Sequence, residues 1–480
     1  MTELTFLQIN DLHGYVVPHP EMVRDDHGQW QFTELGGLAR IAGLFDAVRA
    51  ERPDGVIALD NGDTFHGTHV AVVSKGKSLI PMMNALKLDA MTVHWEFAYG
   101  PEGVHEIGRE LNYPILGTNV FRKADDTLFL KPITMIERSG VKIAIIGLAC
   151  PIVDKTMPVS FSTGVYFTIG NEDLAAWIDH ARSKERADLI VVLSHLGFPQ
   201  DVKLAGEVGG IDILVSGHTH NRMKEPIVVN GAIIFQSGCH GSFIGRLDVT
   251  VEGGTISAHR HGLVPIDEHV PENQAVRSMV DEALAGEGEA MREVVGTVTA
   301  PLHRYAMISA PMDDVLLEAI TEAAGTNVGF SNGWRYGAPI PAGAVTVNDL
   351  WNIIPTNPPI SVVDLTGDEI RQMLEDNLEA TFAANAYEQM GGFVKRMRGL
   401  LMYFKAENPA GHRIDRLFIE GKPVERERTY TVAFVTEQGV PKKFGRNRRK
   451  LEVTAIEAMT DLFKRRGTVT PSSETTVMEV

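Results

Sequence analysis

Short apolar runs recur along the first half of this chain, and polar residues follow all but the fourth of them at once. They cover Leu4 to Ile9, Gly55 to Leu59, Ala90 to Val93, Ile143 to Cys150, Leu189 to Leu193 and Ile211 to Val215. Runs of this length and aliphatic content read as strands buried on both faces. Between them the spacing becomes helical. Leu38, Ile41, Leu44, Phe45 and Val48 share one face of a helix over Gly36 to Ala50 that Pro53 closes, and Lys77 to Leu86 and Glu172 to Lys184 repeat the pattern. Val228-Val229, Ala232 to Phe235 and Ile244 to Val251 read as antiparallel strands, with Asn230-Gly231 a turn between the first two. Strand–helix alternation followed by hairpins predicts an α/β fold in which two sheets pack face to face, flanked by helices.

Further along, Pro271-Glu272-Asn273 opens a predicted helix that runs to Glu293 and spaces Val276, Met279, Val280 and Leu284 helically. Its Glu-rich composition suits a solvated linker. The implied divisions are 1–270, a linker helix over 271–293, a second domain over 294–466, and a loose Ser/Thr-rich tail over 467–480.

Chemistry enters at the ends of the predicted strands. Asp11-Leu12-His13, Gly62-Asp63, His94-Trp95-Glu96, Ser194-His195 and Gly217-His218-Thr219-His220 each follow one apolar run. A lone His at a strand end usually packs or meets solvent. Carboxylates and imidazoles delivered repeatedly to one sheet edge form a nitrogen-and-oxygen ligand set that suits divalent metals. Asp11, His13, Asp63, His94, His195, His218 and His220 are therefore the candidate ligands.

This order resembles the calcineurin-like metallophosphatases, and more narrowly the 5'-nucleotidase and 2',3'-cyclic phosphodiesterase family, whose pattern is Asp-x-His, Gly-Asp, Gly-Asn-His-Glu/Asp, His, Gly-His-x-His. The resemblance implies a four-layer αββα sandwich, joined by a linker helix to a smaller α+β substrate-binding domain. It implies two divalent metal ions, with manganese expected first and zinc or iron admitted by the same ligands. Asp11, His13 and His220 would hold one, His195 and His218 the other, and Asp63 would bridge them. A hydroxide held between the ions would attack the substrate.

The fourth motif departs from the family. His94 stands where the family has a metal-binding Asn, and Trp95 where it has its catalytic His. An imidazole replaces an amide oxygen as a ligand, but an indole is only a donor and exchanges no proton. This run, His94-Trp95-Glu96-Phe97-Ala98-Tyr99-Gly100, resembles the thiosulfohydrolase branch of bacterial sulfur oxidation, as do Asn332 to Gly337 and Gly391-Gly392-Phe393. A general acid contributes roughly 10² to 10⁴ in rate. A sugar alkoxide needs that help, whereas a thiolate, with a parent pKa near about 8.5, needs much less. The expectation is a hydrolase of a small anionic ester or thiosulfonate. Two alternatives stay open: a nucleotidase or cyclic phosphodiesterase that has relocated its acid to His66 or His240, and a metal-retaining binding protein with little turnover. Trp95 has a plainer reading as packing, and His66 and His240 as solvated loop histidines.

In the second domain, Ser331-Asn332-Gly333-Trp334-Arg335 matches the family's substrate loop. Arg335 reads as an anion clamp or, more plainly, a surface salt bridge. Phe393 keeps one half of the family's base-stacking pair, while the other half aligns with Thr356. Trp334 or Tyr336 would have to substitute, since stacking contributes about 1–3 kcal/mol per base. Lys395, Arg396 and Arg398 read as substrate-neutralising or as an exposed charged loop. Lys442 to Lys450 reads as a solvated basic face.

Composition narrows the partners. A net charge of −17 argues against nucleic-acid polymers and anionic membranes, and no apolar run is long enough to span a bilayer. A small anionic substrate is expected, and a protein-borne one has no support. Cys150 and Cys239 are the only cysteines; a buried thiol is the first reading for Cys150, a disulfide the second. Met1-Thr2-Glu3 runs straight into the first strand, which reads as cytoplasmic, or periplasmic if a leader has been removed.

Overall fold

A computed structural model describes residues 1–480 except Asp26, Glu287 and Ser473. The chain divides into two compact units, 1–286 and 287–480.

In the first unit, one sheet pairs the strands Thr255–Pro265, Phe243–Glu252, Thr2–Ile9, Val56–Asp60 and Ala90–Met91 in that order. The second runs Ile227–Val229, Ala232–Phe235, Ile213–Val215, Leu189–Ser194, Val141–Leu148, Ile133–Arg138. The central strands of each are parallel: Thr5 to Ile9 align with Val56 to Asp60, and Val191 to Leu193 with both Ile145 to Gly147 and Ile213 to Val215. The sheets face each other through Leu4, Phe6, Ile57, Leu59, Ile143, Val191, Ile213 and Phe235. Alternation puts Ile146, Ile190, Val192 and Leu214 on the opposite face of the second sheet, where they pack with Leu174, Ile178, Leu204 and Ala205 of the helices Asn171–His180 and Phe198–Glu207. The helix Leu38–Glu51 buries Leu38, Ile41, Phe45 and Val48. Alternating faces of continuous apolar strands thus generate four layers. Because neighbouring strands are parallel, their carboxyl ends lie along one rim, where polar residues follow Thr2–Ile9, Val56–Asp60, Ala90–Met91, Leu189–Ser194 and Ile213–Val215. Asn230 and Gly231 take φ of 50° and 88° between paired Val229 and Ala232, the left-handed pair that such a hairpin turn requires.

The expected linker helix is shorter and differently employed. It spans Gln274–Leu284, capped by the Asn273 side chain, which accepts from the Ala275 and Val276 amides. Val276 and Val280 are buried, and the helix packs on Leu38–Glu51. It belongs to the first unit, and Glu289–Arg292 forms a separate 3₁₀ turn. The periodicity of residues 271–284 was real. The helix ends at Leu284, nine residues before Glu293, and Glu287 of the expected span lies outside the described residues.

The second unit is built on a five-stranded sheet in the order Phe393–Arg398, Val328–Gly333, Thr429–Phe434, Pro359–Thr366, Arg446–Thr454, with smaller sheets beside it. The helices Gly367–Phe382 and Ala455–Arg466 begin with capping boxes, Thr366 with Glu369 and Thr454 with Glu457. The expected loose tail is instead partly paired. Thr468–Val469 runs parallel to Val294–Val298, and Val477–Glu479 parallel to Leu400–Phe404. Val469 and Val477 are buried. Among the described residues, no helix is long and apolar enough to cross a membrane.

Burying a valine contributes about 1.5–3 kcal/mol. Truncation after Gly467 is expected to lower the urea midpoint of the second unit's unfolding transition. An unchanged midpoint would restore the loose-tail reading.

Candidate metal centre

The rim of the first unit gathers the seven candidate ligands into two groups. Ligand atoms of Asp63, His94, His195 and His218 lie within 4.8 Å of one another, and so do those of Asp11, His13 and His220. Asp63 stands between them: its Oδ2 is 3.0 Å from His94 Nδ1, 3.3 Å from His195 Nε2 and 3.8 Å from His13 Nε2. Asp11 Oδ1 approaches His220 Nε2 at 3.3 Å and His195 Nε2 at 3.5 Å.

Each carboxylate commits one oxygen to the backbone and leaves the other for the cluster. The Trp95 amide donates to Asp63 Oδ1 at 2.7 Å, and the His218 amide to Asp11 Oδ2 at 3.0 Å. His195 Nδ1 donates to the Asn61 carbonyl at 2.5 Å, which fixes the tautomer that presents a lone pair at Nε2. Asp11 Oδ1, His94 Nε2 and His195 Nε2 are buried without a hydrogen bond among the described residues. Buried polar atoms of this kind are rare unless something else satisfies them. Acceptor-only carboxylates and imidazole nitrogens converging without an Arg or Lys make a donor set that fits divalent cations.

The electrostatics of the cation-free cluster are correspondingly split. Burial opposes ionisation of Asp63, but His94, His195 and His13 outweigh it and hold the carboxyl well below its usual range. Burial likewise opposes protonation of His195, yet Asp11 and Asp63 raise it to about 9. Burial pushes Asp11 up to about 6 and His13 down to about 3.

The loops reach this geometry through strained backbone. Asp11, His13, Asp63, His218 and His220 all have left-handed φ, between 48° and 72°. Each costs on the order of 1–3 kcal/mol for a residue other than glycine, so surrounding contacts must hold them. Gly62, at φ 84°, passes so close to the chain that a Cβ would lie 2.5 Å from the Thr92 carbonyl. Glu96 accepts from the Thr64 amide at 2.7 Å and the His94 amide at 2.8 Å, tying two ligand loops together. Asn61 Nδ2 donates to the Ser194 and Val215 carbonyls, both at 2.8 Å, and so joins the two sheets behind the ligands. Neither Asn61 nor the role of Glu96 stood out in the sequence. The run Asp60-Asn61-Gly62-Asp63, in which four consecutive residues disfavour strand, was the available signal.

Trp95 is buried beside the cluster, and the His66 ring stacks on it with centroids 4.9 Å apart at 24°. His66 is itself buried rather than solvated, and burial, then His13, lowers it to about 3. His240 is also buried, its ring 4.6 Å from Tyr15 and 5.9 Å from His13; burial lowers it to about 4 despite Glu21. The solvated-loop reading fails for both histidines. Cys150 and Cys239 are free and buried.

In the second unit, Arg335 lies with its guanidinium 5.6 Å above the Phe393 ring, and Gly333 pairs with Phe393 across the sheet. Asn332, Arg335 and Phe393 are half-buried. Trp334 departs from its expected stacking role: it is buried, its Nε1 donating to Gln438 Oε1 at 3.2 Å, with Arg304 5.6 Å from its ring. Lys395 and Arg396 are buried rather than exposed or substrate-facing. Lys395 donates to the Gln438 carbonyl at 2.7 Å, and Arg396 pairs with Asp313 at 3.1 Å. Lys442 and Lys443 form surface pairs with Glu437 and Asp376.

Comparison with known proteins agrees with this geometry. Residues 4–222 match the calcineurin-like phosphoesterase family and residues 294–436 the 5'-nucleotidase C-terminal domain. The trifunctional nucleotide phosphoesterase YfkN of Bacillus subtilis is 26% identical over 90% of this chain, which spans only 31% of that protein. A probable 5'-nucleotidase of Treponema pallidum is 25% identical, covering 78% of this chain and 75% of its own length. Among solved structures, the sulfate thiohydrolase SoxB of Thermus thermophilus superposes with a TM-score of 0.92 at 24% identity, covering 100% of this chain and 97% of that one. A 5'-nucleotidase precursor from the same organism gives 0.87 at 24%, covering 100% and 99%. The chain belongs to the 5'-nucleotidase family of calcineurin-like phosphoesterases and is a metal-dependent hydrolase.

Asp63→Ala is expected to leave at most one metal ion per chain and to abolish hydrolysis, as measured by elemental analysis alongside turnover. Full metal content with retained turnover would refute the convergence on Asp63.

Proposed function

We propose that this chain hydrolyses a small anionic substrate with an undemanding leaving group, of the thiosulfonate type, at a dimetal centre formed by Asp11, His13, Asp63, His94, His195, His218 and His220. Manganese is the first candidate for the ions. A bound pair of divalent cations would supply a water nucleophile at neutral pH and neutralise charge on the attacked group.

The reading is carried by Trp95. This residue occupies the place of the family's catalytic His, and its backbone amide holds Asp63 Oδ1 at 2.7 Å. An indole at this position orients Asp63 through its backbone but has no proton to exchange at neutral pH. His66, stacked on the indole, is a poor substitute acid: burial already disfavours its protonated form, and nearby cations would disfavour it further. As a neutral imidazole it can still donate a hydrogen bond. Arg335, beside Phe393, is suited to clamp a substrate anion through its planar fork of donors, with Asn332 adding a polar contact. Trp334 and Tyr336 are both buried, and Arg335 rather than an aromatic ring of that loop lies over Phe393, which disfavours base stacking there. The sulfate thiohydrolase SoxB of Thermus thermophilus shares this fold.

The second reading, a 5'-nucleotidase or cyclic phosphodiesterase with a relocated acid, draws on the names of relatives such as the Treponema pallidum protein. Release of sulfate from a thiosulfonate, set against release of phosphate from AMP, separates the two readings.

Trp95→His is expected to raise turnover of poor-leaving-group esters relative to good ones by at least about 10-fold, within the range a general acid supplies. An unchanged ratio would place position 95 outside the chemistry. His66→Ala should lower kcat by less than about 10-fold, whereas a relocated acid at that position would cost roughly 10² to 10⁴. Arg335→Ala should raise KM for the anionic substrate more than it lowers kcat, and an unaffected KM would argue for a structural arginine.

A further inference from the structure

Asp201 bonds to none of the seven ligands, yet its carboxylate joins the two strands that deliver two of them. It is fully buried in the helix Phe198–Glu207. Ser194 Oγ donates to its Oδ1 and Ser216 Oγ to its Oδ2, both at 2.6 Å. Ser194 ends the strand Leu189–Ser194 and immediately precedes His195. Ser216 follows the strand Ile213–Val215 and stands two residues before His218.

Gln236 continues the chain of bonds. Its Nε2 donates to Ser216 Oγ at 2.9 Å and to the Gly217 carbonyl at 2.7 Å. Its Oε1 accepts from Thr219 Oγ1 at 3.1 Å and from the Asn221 amide. One helix, two strands and both ends of the turn that bears His218 and His220 are thereby linked through side chains.

Two features make simple packing an insufficient account of Asp201. Among the described residues it pairs with no Lys or Arg, and a buried carboxylate without a cation is costly even with two hydroxyl donors. The turn that it braces is also strained, with His218 and His220 at φ 72° and 58°. Such residues relax toward ordinary backbone unless held.

We propose that Asp201 is a positioning residue of the metal centre. Through Ser194 and Ser216 it sets the separation of the His195 and His218 imidazoles, and so the affinity of the site they share with Asp63 and His94. This rests on the ligand assignment given above.

The test uses the full chain, stripped with chelator and titrated with Mn²⁺, following bound ion by elemental count and by electron paramagnetic resonance. The wild-type chain should take two ions and show the signal of a coupled pair. Asp201→Ala should need 10–100-fold more Mn²⁺ to fill the second site, the range typical of lost outer-sphere partners, and should weaken the coupled signal. Asp201→Asn keeps the shape and both contacts, one serine reversing its hydroxyl, and should recover most of the affinity. If Asp201→Ala does not fold, Ser216→Ala should show the same weakened second site. Lowered thermal stability with an unchanged Mn²⁺ titration would mark Asp201 as merely structural and overturn the proposal. A wild-type chain that binds fewer than two ions would instead sink the ligand assignment.

Discussion

The first unit is organised around one electrostatic constraint: two buried carboxylates must share a water-poor rim with five imidazoles and no Arg or Lys. Asp63 Oδ2 has His94, His195 and His13 nitrogens within 3.8 Å. Without cations, the cluster splits its protons unevenly, driving Asp63 down and His195 up to about 9. Divalent cations held by these residues would resolve the conflict, because competing acceptors would become ligands of a common charge. The strained loops and the bracing hydrogen bonds behind them follow from that requirement. Backbone amides from His218 and Trp95 occupy the unused carboxylate oxygens, so that each acid points a single oxygen inward.

With divalent ions bound, such a centre would supply a nucleophile and charge stabilisation whatever the leaving group. In the proposed reading, the residue at position 95 decides how demanding that group can be. In this chain position 95 is an indole, the His66 stacked on it is buried and held neutral, and so is His240 beside His13. A site without a general acid favours a departing atom that is a weak base, and the proposed reading therefore links one buried position to the class of bond that is broken.

Much of this was legible in the residues. Apolar runs placed the strands to within a few positions, since a strand buried on both faces admits little else. The ligands were legible because each motif follows such a run. Other features depended on long-range contacts that no local pattern carries. Asp201 lies six residues beyond His195 in an ordinary amphipathic helix, and its role emerges only when Ser194 and Ser216 meet it. Val276 and Val280 gave the right helix period, but periodicity could not tell that the face packs on Leu38–Glu51 rather than meeting solvent. The segment 467–480 looked loose because its two short strands find partners far away in the chain. Trp334 looked like a stacking surface because its neighbours match a substrate loop, while the partner that buries its polar edge, Gln438, lies about a hundred residues on.

The most direct test is a diffraction experiment on crystals grown with Mn²⁺, with data collected at the manganese absorption edge. Two anomalous peaks about 3.5–4 Å apart, one on either side of the Asp63 carboxylate, are the expected result. A single peak, or none among these imidazoles, would contradict the shared-carboxylate centre.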